Sequence, residues 1–243
     1  MRKRRLGAKG WGLGIPLAMG LMINMTARAL GEENSNEVTE EPTITVRVLN
    51  YTKLSDKALT EAGAQASKVL RQAGIEVIWL SCYSSTKRFE SDPDCERAPG
   101  PTDISLRVLY RPKVLPSPFH HSIGFSLVPG PGGFGDLASV FYDPIKDMAA
   151  RVRVPNAVAL GHAAAHEIGH LLLGTDRHSQ SGIMRAQWSR GEMHLAVLGH
   201  LRFTRQEGQL LRAAVFDRAR AQDAAVPAQP PTLRLAASSG KGF

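Results

Sequence analysis

The stretch HEIGHLLLGTDRHSQSGIM, residues 166–184, organises the reading of this chain. Its opening residues continue an apolar run that begins near Asn156, and Gly174 supplies a natural stop, so a helix is expected over Asn156–Leu173. On a helix, residues i and i+4 share a face, which sets His166 beside His170. Two imidazoles at that spacing can reach one zinc ion through a nitrogen each. Glu167 follows the first of them and lies beside the metal rather than on it. From there its carboxylate can take a proton from a zinc-activated water and pass it to a leaving amine. The ion is needed because water alone ionises too weakly near neutrality, whereas coordination lowers its pKa to about 7.

Two histidines leave a catalytic zinc one protein ligand short. His178 is the favoured third ligand, because it follows the stop at Gly174 and the chain can turn back under the metal. Asp176 lies in the same turn and offers a carboxylate. Glu192 and His194 come later, where a second helix could present them. His162 sits one turn before His166, but three ligands from one straight helix surround a tetrahedral ion poorly. The plainer reading of the motif is two surface histidines beside an ordinary salt-bridging glutamate.

Working outward, Thr43 to Leu49 alternates Ile44, Val46 and Val48 with polar residues, which is a strand pattern. Ser55 can cap a helix running to about Ala73, with Leu59, Ala62, Ala66, Val69 and Ala73 on its apolar face and Gly74 as its stop. Ile75 to Leu80 is a nearly continuous apolar run that suits a strand buried on both faces. This unit is long enough for a parallel crossover. Ile104 to Leu109 alternates again, and Pro112, Pro116 and Pro118 end it. Ile123 to Val128 and Leu137 to Tyr142 are shorter strand candidates, separated by a loop around Pro129–Gly133. Beyond the motif comes an irregular stretch, and Thr204 with Glu207 forms a capping box for a last helix reaching about Arg220. The pattern is that of an α+β domain over 43–222, with a mixed sheet of about five strands.

The 243 residues suit one domain. The net charge of +8 is misleading, because residues 1–29 carry six basic residues and no acid; the remaining 24 basic and 22 acidic residues leave +2. A nucleic-acid partner is therefore not expected. Residues 1–29 read as a signal peptide: Arg2 to Arg5 and Lys9 precede an apolar stretch from Trp11 to Met25, and Ala27-Arg28-Ala29 offers a cleavage site. The alternative is a membrane anchor that is never cleaved, for which the stretch is short and is broken by Gly12, Gly14, Pro16 and Gly20; with cleavage the expectation is an exported chain without a membrane span. Residues 30–42 read as a polar leader and 223–243, rich in Ala, Pro, Ser and Gly, as a disordered tail. In an exported protein the only two cysteines, Cys82 and Cys95, are expected to form a disulfide around a short polar loop.

The motif resembles that of the metzincin clan of zinc endopeptidases, His-Glu-x-x-His-x-x-Gly-x-x-His followed by a tight turn with a methionine beneath the metal. His166, Glu167, His170, Gly174, His178 and Met184 match it in kind and order. The spacing departs from the family: three residues rather than two precede Gly174, and three rather than two precede His178. By strict count Asp176 fills the third-ligand slot, although the continuation His178-Ser179 and Gly182-Ile183-Met184 is closer to the family's own. The resemblance implies one zinc ion held by three histidines, Glu167 as general base, Gly174 as the bend and Met184 in the Met-turn. It also implies a twisted mixed sheet with a crossover helix, an active-site helix and a C-terminal helix. Ile123 to Val128 would then be the edge strand that binds an extended peptide or protein substrate.

The leading expectation is thus an exported zinc metallopeptidase. A non-proteolytic zinc-containing peptide-binding module and a thermolysin-like peptidase using Glu192 stand beside it. Several residues remain as lesser candidates. His120-His121 could bind metal or face solvent, and Tyr142 could stabilise an oxyanion or pack in the core. Arg185, Trp188 and Arg190 could shape a substrate pocket.

Overall fold

The computed structural model describes residues 41–85, 90–113, 122–130 and 133–225. The signal segment, nearly all of the leader, His120-His121 and the tail beyond Ala225 lie outside the described residues.

The alternating pattern at the start of the chain forms β1 (Thr43–Asn50). Ile44 and Val46 are fully buried beneath the helices, and Val48 packs against the same core. Ser55 caps α1 (Asp56–Gln72), its hydroxyl accepting the Ala58 N–H at 3.3 Å. Ala62, Ala66, Val69 and Ala73 are buried, so the expected apolar face is the one that packs. Gly74, at φ +77°, reverses the chain into β2 (Glu76–Ser84), which pairs parallel with β1. β3 (Asp103–Leu109) pairs parallel on the other side of β1, and β5 (Leu137–Phe141) parallel to β3. β4 (Gly124–Ser126) is antiparallel to β5. The result is a five-stranded mixed sheet in the order β2-β1-β3-β5-β4.

The expectation that Ile75–Leu80 is buried on both faces is wrong. β2 ends the strand order, and Ile78 is 53% exposed. Alternation decides which residues are covered. Val77 and Trp79 pack against the core beneath the helices, with the Trp79 indole donating to Ser67 Oγ at 2.7 Å. Ile78, at the intervening position, faces the opposite side.

That opposite side is partly covered by the disulfide-closed turn. Cys82 and Cys95 are bonded, with Cα atoms 5.4 Å apart. Arg47 donates to the carbonyls of Cys95 and Arg97 at 3.1 and 2.9 Å, and to Asp103 Oδ1 at 3.0 Å. Arg97 adds two bonds of 2.7 Å to Asp103, and the Gly100 N–H one more of 2.7 Å. Burial raises the Asp103 carboxyl, but these donors outweigh it and hold the group below its ordinary value.

α2 (Tyr142–Val152) was not anticipated. Its buried side carries Ile145, Met148, Ala149 and Val152 at helical spacing, and Tyr142 is its first residue rather than the last of a strand. α3 (Asn156–Leu173) runs over the expected range and ends at Gly174, at φ +62°. Every residue from Val158 to Leu172 is buried, which explains an apolar character all round the helix. Close packing on α1 requires Gly161, where a Cβ would fall 2.5 Å from the Ala62 carbonyl oxygen. The irregular stretch contains α4 (Arg190–Val197), which opens on a Ser189/Glu192 capping box. α5 (Arg205–Ala225) follows the expected Thr204/Glu207 box and continues past Arg220.

Candidate metal centre

α3 carries His166, Glu167 and His170 on its buried length, and the left-handed residue Gly174 turns the chain back along the helix. The returning segment supplies the carbonyls that orient both rings. His166 Nδ1 lies 2.8 Å from Ile183 O, and His170 Nδ1 lies 2.8 Å from Thr175 O. It also delivers His178, whose ring centroid is 5.3 Å from that of His166 and 4.9 Å from that of His170. One ring nitrogen from each histidine falls within 4.8 Å of the others. The trio could hold a metal ion.

The chemistry of the donors favours one. A carbonyl oxygen only accepts, so Nδ1 of His166 and of His170 must carry the hydrogen. In the neutral rings the two Nε2 atoms are then bare lone pairs, and they face each other at 3.1 Å. Two acceptors at that separation need a cation between or beside them. Burial pushes the His166 pKa down to about 3, and lowers those of His170 and His178 as well. All three are therefore neutral near pH 7, the form in which imidazole binds metal.

Met184 is buried, and Gly169 makes room for it: a Cβ there would lie 2.8 Å from the Met184 sulfur. The turn holding Met184 is tied by Ser179 N–H to Met184 O at 2.8 Å and by Ile183 N–H to Arg202 O at 2.9 Å. Ile183 O also accepts from the Trp188 indole at 3.0 Å, and that ring packs edge-on to His166.

Glu167 is 4% exposed. Its carboxylate rests against β4, where Ser126 Oγ lies 2.7 Å from Oε2 and 2.8 Å from the Glu167 backbone oxygen. The seat exists because residue 124 is glycine; a Cβ there would lie 2.6 Å from Glu167 Oε1. Burial raises the Glu167 pKa to about 7, against the opposing effect of the Ser126 hydrogen bond. The carboxyl and the trio border a cleft of about 1270 Å³, with β4 on one side and the Arg185–Trp188 segment on another. A buried carboxyl poised near neutrality beside a trio that could hold a metal ion can exchange protons with a molecule held in that cleft.

The other candidates fall elsewhere. Asp176 lines the cleft and its charge favours protonation of His170 and His178, but it is not among the converging donors. Glu192 is engaged by Arg185 at 2.6 Å and by the Ser189 N–H at 2.7 Å, which leaves the downstream-glutamate alternative without its ligand. His194 lies against Val152 O at 3.2 Å, and His162 is buried with Nδ1 on Val158 O at 2.8 Å. Tyr142 packs against the core, beside Tyr110. Arg190 opens α4 and is not among the cleft-lining residues.

Ser126, Gly124, and the carbonyls of Thr175 and Ile183 were not anticipated. A serine and a glycine in a short strand carry no local signal, and backbone carbonyls are invisible in a residue list. What brings Ser126 to Glu167 is the pairing of β4 with β5 at the sheet edge nearest α3.

No family model matches the chain, and no curated protein matches it. Among solved structures, the chain is similar to the archaemetzincin of Methanopyrus kandleri, with 16% sequence identity and a TM-score of 0.42 over 74% of this chain and 99% of that one.

Proposed function

We propose that this chain is an exported zinc-dependent metallopeptidase of metzincin type, with His166, His170 and His178 as the ligands and Glu167 as the general base. The observation that carries the reading is the convergence of three imidazoles beside a buried carboxyl at the edge of one open cleft. When bound, zinc would supply a Lewis acid that polarises the scissile carbonyl and the attacking water. Glu167 takes the proton from that water and returns it to the departing amine nitrogen. Ser126 orients the carboxylate for both transfers. β4 ends the strand order, and a strand edge beside the catalytic groups suits an extended peptide adding to the sheet. Export is supported by the segment ending near Ala29 and by the Cys82–Cys95 bond, which suits an oxidising compartment. No helix among the described residues is long and apolar enough to cross a membrane.

Metal analysis coupled to a peptide-library digest tests the reading. The parent protein is expected to hold one zinc and to cleave internal peptide bonds, and Glu167→Ala to keep the metal and lose cleavage. Stoichiometric zinc in His178→Ala would remove His178 from the ligand set. Metal bound without cleavage by the parent protein would turn the reading into a peptide-binding module.

A further inference from the structure

The three imidazoles are not held alike. His166 and His170 are each fixed by a carbonyl on Nδ1. Among the described residues the His178 ring makes no hydrogen bond; its ring contacts are with the other two imidazoles. It is also the exposed member of the trio and stands on a loop rather than a helix. A ligand with no partner on its second nitrogen must be aimed through its backbone.

The neighbouring residue supplies that control. Ser179 is anchored twice: its N–H donates to Met184 O at 2.8 Å, and its hydroxyl donates to Glu207 Oε1. Glu207 is 8% exposed and opens α5. Its other oxygen, Oε2, accepts the Thr204 N–H at 2.7 Å, while its own N–H is held by Thr204 Oγ1 at 3.2 Å. The capping box of α5 is therefore complete on one carboxylate oxygen. The second oxygen is free to bind outside the helix, and it takes the residue next to the third imidazole.

We infer that Ser179 and Glu207 are positioning residues that latch the third metal ligand, His178, to the first turn of α5 and thereby set the affinity of the site for zinc. This rests on the reading of His166, His170 and His178 as a zinc site. The latch acts on the ion only through the placement of His178; neither residue touches it. With the latch closed, the loop presents His178 ready to bind. With it open, binding must also order the loop, and part of the affinity is lost to that ordering.

The test is the zinc dissociation constant of the full mature chain, measured by competition with a chromogenic chelator, for the parent, Ser179→Ala, Ser179→Thr and His178→Ala. Melting of each metal-free protein is recorded alongside. Ser179→Ala is expected to weaken zinc binding about 10–100-fold, the range usual for groups that orient a ligand. Ser179→Thr, which keeps the hydroxyl, is expected to restore affinity to about the parent value and to reverse any fall in the metal-free melting point that Ser179→Ala shows. Affinity in Ser179→Ala equal to that of a zinc-binding parent overturns the inference and leaves the zinc site standing. So does a threonine variant as weak as the alanine one, or a loss confined to metal-free melting. A parent that binds no zinc removes the zinc site itself, and the latch with it.

Discussion

Replacing Gly124 by alanine adds one methyl group at the point where β4 meets the proposed base. The new carbon would lie 2.6 Å from Glu167 Oε1 and 2.6 Å from Ser139 O, whereas ordinary contact begins at 3.4 Å. About 0.8 Å must be found. Ser139 O belongs to the backbone of β5, which is paired on both sides, so it yields little. The Glu167 carboxylate yields instead and moves away from Ser126. Overpacking of this kind costs about 1–3 kcal/mol, which for a chain of this length lowers the melting point by roughly 3–10 °C. A catalytic group misplaced by about 1 Å costs on the order of 100-fold in rate. The expected result is a fall of that size in kcat with zinc content unchanged, since no proposed ligand is touched. Steady-state kinetics on a quenched-fluorescence peptide, with metal analysis and calorimetry on the same samples, measures all three. Unchanged kcat together with an unchanged melting point would refute the placement of Glu167 against β4.

Glu167 also sets a pH dependence in the metal-free protein. Burial raises its pKa from 4.5 to about 7, so between these values the unfolded chain releases a proton that the folded chain keeps. Stability falls as pH rises through that window, by on the order of 3 kcal/mol once pH exceeds 7. Metal-free Glu167→Gln should then melt above the parent at pH 8 and level with it at pH 4; a gap of equal size at both would refute this. Stripping the protein with a chelator should abolish peptide cleavage, and one equivalent of zinc should restore it; cleavage that survives complete removal of metal, checked by mass spectrometry, contradicts the proposed chemistry. Cys82→Ser opens the loop fastened by Arg47 and should cost about 2–3 kcal/mol in denaturant unfolding, leaving zinc affinity unchanged because neither cysteine nor Arg47 lines the cleft.

The elements that were legible in advance are those written in local chemistry. Ser55, Gly74, Gly174 and the Thr204/Glu207 pair mark helix ends through bonds to residues a few positions away, and each helix end falls where those residues sit. Gly174 and the short returning loop also explain why His178 could be singled out, although its spacing departs from the metzincin pattern. The misses have a different origin. The apolar run in β2 was read as doubly buried because composition does not reveal which strand ends the sheet. α2 was overlooked although Ile145, Met148, Ala149 and Val152 repeat at helical spacing, because the preceding strand reading ran into Tyr142. The seat of Glu167 was beyond reach, since Ser126 meets it across 41 positions and only through the register of β4 on β5.

The same separation has a consequence for the order in which the protein comes together. The three imidazoles span His166 to His178, and the carbonyls that aim two of them lie in the same short stretch. Loops of that size close fast and at small entropic cost. The pocket for Glu167 instead waits for β4, paired with the next strand β5, to meet a helix residue 41 positions further along the chain, a longer closure. A nascent chain can therefore gather its imidazoles early while its base is still unseated. On the proposed reading, such a chain would hold its three imidazoles together before it could hydrolyse a peptide.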